Sequence, residues 1–124
     1  GRRGGEEGSA MAEVIWSDDA TGLRIATLTY GESVFGQKSA EKLDQAFKMY
    51  GRLLSLHPLL GHREPLLRHR TDYIFRSILV HRNYKLIYVL EPEDIETAER
   101  VLIIDLWDTR MDPDFLAARI PAAE

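Results

Sequence analysis

The sequence predicts an α+β fold: an N-terminal strand and a helical hairpin packed on a small curved antiparallel sheet, followed by a short C-terminal helix. Three observations carry this. Residues 73–80 and 84–91 are rich in aromatic and branched side chains and flank a polar tip, His81-Arg82-Asn83, which is the pattern of a β-hairpin. Residues 100–108 form a third run that is nearly all apolar, which places it inside a sheet rather than at an edge. Residues 39–56 put Leu43, Ala46, Phe47, Tyr50, Leu53 and Leu54 at helical spacing, with charged and polar residues between them.

In chain order, residues 1–10 (GRRGGEEGSA) lack periodicity and their charges cancel. They are expected to be a disordered tail or a cloning remnant, with the natural start at Met11 and a single domain over 11–124. Val14-Ile15-Trp16 reads as a short strand. Ser17-Asp18-Asp19 then has the form of an N-cap followed by acids in a first helical turn. A first helix is expected over 20–35, with Leu23, Ala26, Tyr30 and Val34 as its apolar face. Leu23, Ile25 and Thr27 also alternate as a strand would, and Gly22 and Gly31 weaken a helix.

Gly36 breaks the run, the second helix follows over 39–56, and the two form an αα-hairpin. His57-Pro58 ends it and Gly61 turns the chain. Residues 59–70 are expected to be an irregular basic connector anchored by Leu66-Leu67. Residues 91–99 form an acidic loop after the hairpin. Asp112 and Pro113 are the N-cap and first residue of a final helix over 113–119. Phe115, Leu116 and Ile120 give that helix an apolar stripe, which either packs on the sheet or meets a partner.

With 124 residues there is room for one core. No apolar run is long enough to span a bilayer and no signal peptide is read, so no membrane association is expected. The chain has no Cys, which excludes disulfides and thiolate chemistry and suits a cytoplasmic protein. Net charge is −4 but unevenly spread. Residues 1–56 hold seven basic against eight acidic residues, 57–90 six against two, and 91–124 three against ten. Such a balance argues against a general nucleic-acid binder, while the middle of the chain could present a local basic patch.

All four His (57, 62, 69 and 81) lie in that middle stretch. Their gaps match neither a helical His pair nor a zinc spacing, so neither metal nor cofactor is expected. His81 has a pKa in the range of a general base, although a lone exposed turn histidine accounts for it equally. Asp105 lies in an apolar strand and shares a face with Trp107. A carboxylate there needs a partner, for which Arg76 on a neighbouring strand is the candidate.

Taken together, the chain resembles the RelE/ParE superfamily of type II toxin–antitoxin toxins, which includes plasmid stabilisation proteins. The resemblance rests on Trp16-Ser17 entering a helical hairpin, and on Leu56-His57-Pro58 with Gly61 closing it. Leu67-Arg68 and Arg70 follow, then Tyr73, Arg76-Ser77 and Asn83-Tyr84-Lys85-Leu86-Ile87-Tyr88. Last come Ile103-Ile104-Asp105 and Asp108-Thr109-Arg110-Met111-Asp112-Pro113. It covers residues 11–119 in the order given by the pattern reading.

This resemblance implies a growth-inhibiting toxin neutralised by a cognate antitoxin, in some assemblies as a heterotetramer. Its target would be DNA gyrase, inhibited by binding, or the ribosome, where messenger RNA is cut. A toxin-like module that only binds is a third reading. Nuclease chemistry needs a group to activate the ribose 2′-hydroxyl and cations to stabilise the phosphate. By resemblance these would be Arg76, Lys85 and Arg110. Departures at Ile78 and Leu116, where a lysine and a tyrosine are expected, together with the acidic final third, favour the gyrase reading. Arg63, Arg68, Arg70, His81, Arg82 and Phe115 are the candidates for antitoxin or target contact. The plainer reading of Arg76, Lys85 and Arg110 is that they are solvated or pair with nearby acids, Arg110 with Asp108 or Asp112.

Overall fold

A computed structural model describes residues 11–122, so the predicted tail 1–10 lies outside the described residues. Among these residues the chain forms β1 (Glu13–Trp16), α1 (Asp18–Phe35), α2 (Gln37–Leu56), β2 (His62–Arg63), a 3-10 turn (Pro65–Leu67), β3 (Arg76–His81), β4 (Tyr84–Glu91), β5 (Arg100–Asp108) and α3 (Pro113–Arg119). The five strands make one sheet in the order β1-β5-β4-β3-β2. β1 joins that sheet directly, parallel to β5, and every other neighbouring pair is antiparallel. The apolar β5 is internal, as its composition requires.

Local signals set the helix ends. Ser17 Oγ accepts from the Ala20 N–H at 3.1 Å, and Asp112 caps α3 by accepting from the Asp114 N–H at 3.0 Å. Gly36, at φ 97°, supplies the left-handed turn that lets α1 double back into α2.

Two cores flank the sheet. On one face Ala20, Leu43, Phe47 and Leu54 of the helical hairpin pack on Leu86, Tyr88, Val101, Ile103 and Leu106. On the other, Leu67, Phe75, Leu116 and Ile120 cover Ile87, Val89 and Trp107. This second face is therefore partly covered by α3 and the 3-10 turn, so the apolar stripe of α3 packs on the sheet through Leu116 and Ile120. β5 serves both cores through a bulge: Ile87 pairs with Asp105 and Tyr88 with Ile103, leaving Ile104 without a partner.

Several sequence expectations change. The inward face of α1 is Ala20, Leu23 and Leu28, whereas Ala26, Tyr30 and Val34 are exposed. Leu23 faces inward as expected, and Ala20 and Leu28 complete that face in place of Ala26, Tyr30 and Val34. Strand β3 starts at Arg76 rather than at 73. The Phe75 carbonyl instead accepts from the Glu64 N–H at 2.8 Å. The connector 59–70 is more ordered than expected, since it contributes β2 and the 3-10 turn. Leu67 is its buried anchor, and the Glu64 side chain caps the turn by accepting from the Leu66 N–H at 2.7 Å.

Tyr88 locks this connector to the sheet. Its buried hydroxyl accepts from the Gly61 N–H and donates to the Pro58 carbonyl, both at 2.9 Å. A side chain at Gly61 would meet the Ser77 carbonyl oxygen at 2.5 Å and that hydroxyl at 2.7 Å. Glycine is required there for close approach.

Candidate functional site

The β3–β4 turn rises beside the far end of the helical hairpin, and the chain leaving β5 passes next to it. Together they enclose a cleft of about 380 Å3. Tyr30 and Phe35 come from α1, Lys42 from α2, His81, Arg82 and Tyr84 from the β-hairpin, and Arg110 from the turn after β5. Four basic side chains and three aromatic rings line it, with no carboxylate among the described residues of its walls. The apolar end of α1 that failed to enter the core, with Tyr30 57% and Phe35 68% exposed, forms one wall. The His81 and Tyr84 rings sit 6.4 Å apart. Such a surface can grip an anionic partner that also offers apolar or aromatic groups.

Of the candidates read from the sequence, His81, Arg82 and Arg110 meet in this cleft. Arg110 is held by Asp108, with Nε and Nη2 at 3.0 and 2.9 Å from its two carboxylate oxygens. Asp108 rather than Asp112 is therefore the partner. The hydrogen bonds from Arg110 hold the Asp108 carboxyl below its usual range, and the Arg110 guanidinium is raised in turn.

Arg76 and Lys85 lie elsewhere, on opposite faces of the sheet. Arg76 pairs in register with Tyr88 on the helical-hairpin face, whereas Lys85 pairs with Leu79 and Trp107 on the α3 face. Arg76 Nε and Nη2 contact Asp94 of the acidic loop at 2.8 and 3.1 Å, and Nη1 donates to the Gly61 carbonyl at 2.8 Å. Hydrogen bonding to Asp94 raises the Arg76 guanidinium.

Lys85 donates to Glu64, which is 1% exposed and also accepts from the Ser77 hydroxyl at 2.8 Å. Burial pushes the Glu64 carboxyl up. The hydrogen bonds from Lys85, Leu66 and Ser77 outweigh it and leave the group below the usual carboxylate range. The three residues proposed for nuclease chemistry are thus not brought together, and each is engaged by a carboxylate.

Asp105 does share the Trp107 face, but its partner is Arg119 of α3 at 2.9 Å, not Arg76. Arg76 points to the other face, and the bulge at Ile104 turns Asp105 towards α3. Arg119 also stacks over Trp107, 5.0 Å from its ring centre. Burial pushes the Asp105 carboxyl up and Arg119 offsets this only in part.

Among the contact candidates, Arg70 is tied to Asp72 at 2.9 Å and donates to the carbonyls of Ile120 and Pro121, holding the chain after α3. Arg63, Arg68 and Phe115 are exposed on the β2 and α3 side, away from the cleft. The sequence reading missed Glu64, Asp94 and Lys42. The charge of the 91–99 loop was a usable signal for Asp94. None existed for Glu64, a lone acid in a basic stretch. Among the described residues no group of His, Asp and Glu could hold a metal ion, and no helix is long and apolar enough to cross a membrane.

No protein-family model matches the sequence, and no curated protein matches it significantly. Among solved structures, a chain from the chromosomal ParDE TA system from P. aeruginosa is similar over 81% of this chain and 98% of that one. Its TM-score is 0.61 at 15% identity. At that identity the likeness is one of architecture: the α+β fold described above is shared with that chain.

Proposed function

We propose that this chain is the toxin component of a type II toxin–antitoxin system. A cognate antitoxin holds it inactive, and it acts by binding its target, in the manner of ParE-like inhibitors of DNA gyrase. The fold it shares with the ParDE-system chain supports the first part. The observation that carries the second is the dispersal of Arg76, Lys85 and Arg110. Phosphate cleavage needs cations preorganised around one point, and here two of the three lie on opposite sheet faces. The cleft holding His81, Arg82 and Arg110 is the surface for the target. The exposed Arg63, Arg68 and Phe115 are the surface for an acidic antitoxin segment.

The test is induced expression without a partner, following growth, transcript 5′ ends and supercoiling in the same lysates. Arrest with intact transcripts and lost supercoiling is the expected result, with Arg110→Ala weakening the arrest. New transcript ends would make the protein an endoribonuclease. Growth without arrest would leave a binding module with a toxin-like fold.

A further inference from the structure

Among the described residues the outer edge of β1 is open at Val14 and Trp16, while just before them the Ala12 N–H donates to the Ser55 carbonyl of α2 at 3.0 Å. In the parallel ladder with β5, the N–H groups of Glu13 and Ser17 donate to the carbonyls of Glu99 and Ile103 at 2.8 and 2.9 Å. Strand alternation turns the N–H groups of the intervening Val14 and Trp16 the other way, along the free edge. Among the described residues no further strand pairs with β1. Such an edge is a template for an added strand.

Beside this edge runs a groove of about 390 Å3 between β1 and α2. Arg24, Lys48 and Arg52 line it, and Lys48 and Arg52 stand one turn apart on α2. Among the described residues Asp44 is the only carboxylate engaging these cations, at 2.7 Å from Arg24 and 3.3 Å from Lys48. Arg52 has no ion-pair partner among the described residues, so positive charge is left over. The Arg24 guanidinium carbon lies over Trp16, 4.7 Å from the ring centre. At Gly51 the groove is open, with nothing within 4 Å of where a side chain would begin. On the other side of β1, Ile15 is 37% exposed.

We infer that this edge binds an extended acidic segment of a partner protein, which adds a sixth strand beside β1. Its main chain bonds Val14 and Trp16, its acidic side chains face Lys48 and Arg52, and its alternate apolar side chains cover Ile15. β1 and β2 are opposite edges of the sheet, so the site is separate from the Arg63 surface and does not depend on the toxin reading.

The probe is an end-capped ten-residue peptide of alternating glutamate and valine, titrated into the full chain by calorimetry. Amide exchange at Val14 and Trp16 is followed in parallel. Binding with slowed exchange at both amides is expected. Lys48→Glu/Arg52→Glu should weaken it at least tenfold, as should Gly51→Leu, which fills the groove at an open helical position. A peptide N-methylated at alternate residues should fail to bind. Equal affinity for a lysine–valine peptide, unchanged affinity in either variant, or binding without protection of Val14 and Trp16 would overturn the inference.

Discussion

Lys85→Met is the most informative single change, because it separates a structural lysine from a functional one. Glu64 is 1% exposed, while the Lys85 side chain keeps 20% of its surface. Removing one partner of a buried ion pair costs about 3–5 kcal/mol, because the other charge is stranded. Ser77 and the Leu66 N–H would still bond the carboxylate, and Lys85 is partly solvated, which places the loss at the low end, near 3 kcal/mol. For a chain of this size that is roughly 12 °C in Tm.

The pH dependence has a definite sign. The folded Glu64 carboxyl lies below its ordinary 4.5, so its contribution is present above that pH and is lost as pH falls towards the folded value. Lys85→Met abolishes that contribution, so the gap between the parent and variant stabilities should narrow below pH 4.5. Urea unfolding followed by far-ultraviolet circular dichroism at pH 7 and pH 4 measures both quantities. Glu64→Gln added to Lys85→Met should recover most of the stability and keep the growth phenotype. A loss under about 1 kcal/mol at pH 7, a gap independent of pH, or no recovery in the double variant would refute the reasoning.

Two further outcomes follow from buried polar groups. Tyr88→Phe strands the Gly61 N–H and the Pro58 carbonyl and should cost about 1–3 kcal/mol. Burial pushes the Tyr88 hydroxyl up to about 12, so the parent should lose stability as pH rises from 10 through 12, more steeply than Tyr88→Phe in alkaline unfolding curves. Arg119→Met leaves Asp105 buried without its cation and should cost about 2 kcal/mol at pH 7, discounted because the Arg119 side chain is 31% exposed. Its absence raises the Asp105 carboxyl further, so this loss should shrink at pH 4, and adding Asp105→Asn should restore stability at pH 7.

The fold was legible where local chemistry decides it. Ser17 and Asp112 cap the helices as their sequence context indicates, and α3 begins at Pro113. The apolar run of β5 marks an internal strand, and the His81-Arg82-Asn83 tip marks a hairpin. What stayed hidden depends on partners distant in sequence. Asp105 meets Arg119 only because α3 folds back across Trp107, and Lys85 meets Glu64 only because β2 pairs with β3. The cleft was half legible. The basic tip and Arg110 were visible as charge, but Tyr30 looked like core until the packing of α1 left it outside together with Phe35. Arg76 and Lys85 could be taken as neighbours from spacing alone, yet strand parity sets them on opposite sides.

Ile104 divides β5 into two stretches that are out of phase. Before it, Val101 and Ile103 serve the helical hairpin, and after it Leu106 does, while Asp105 and Trp107 face α3. Deleting residue 104 would remove the bulge and join the stretches in one alternation, with Asp105 and Trp107 still facing α3 and Leu106 still facing the hairpin. The loss of one residue at this position therefore leaves the facing of its neighbours unchanged, whereas the loss of Leu106 would turn Trp107 towards the hairpin core.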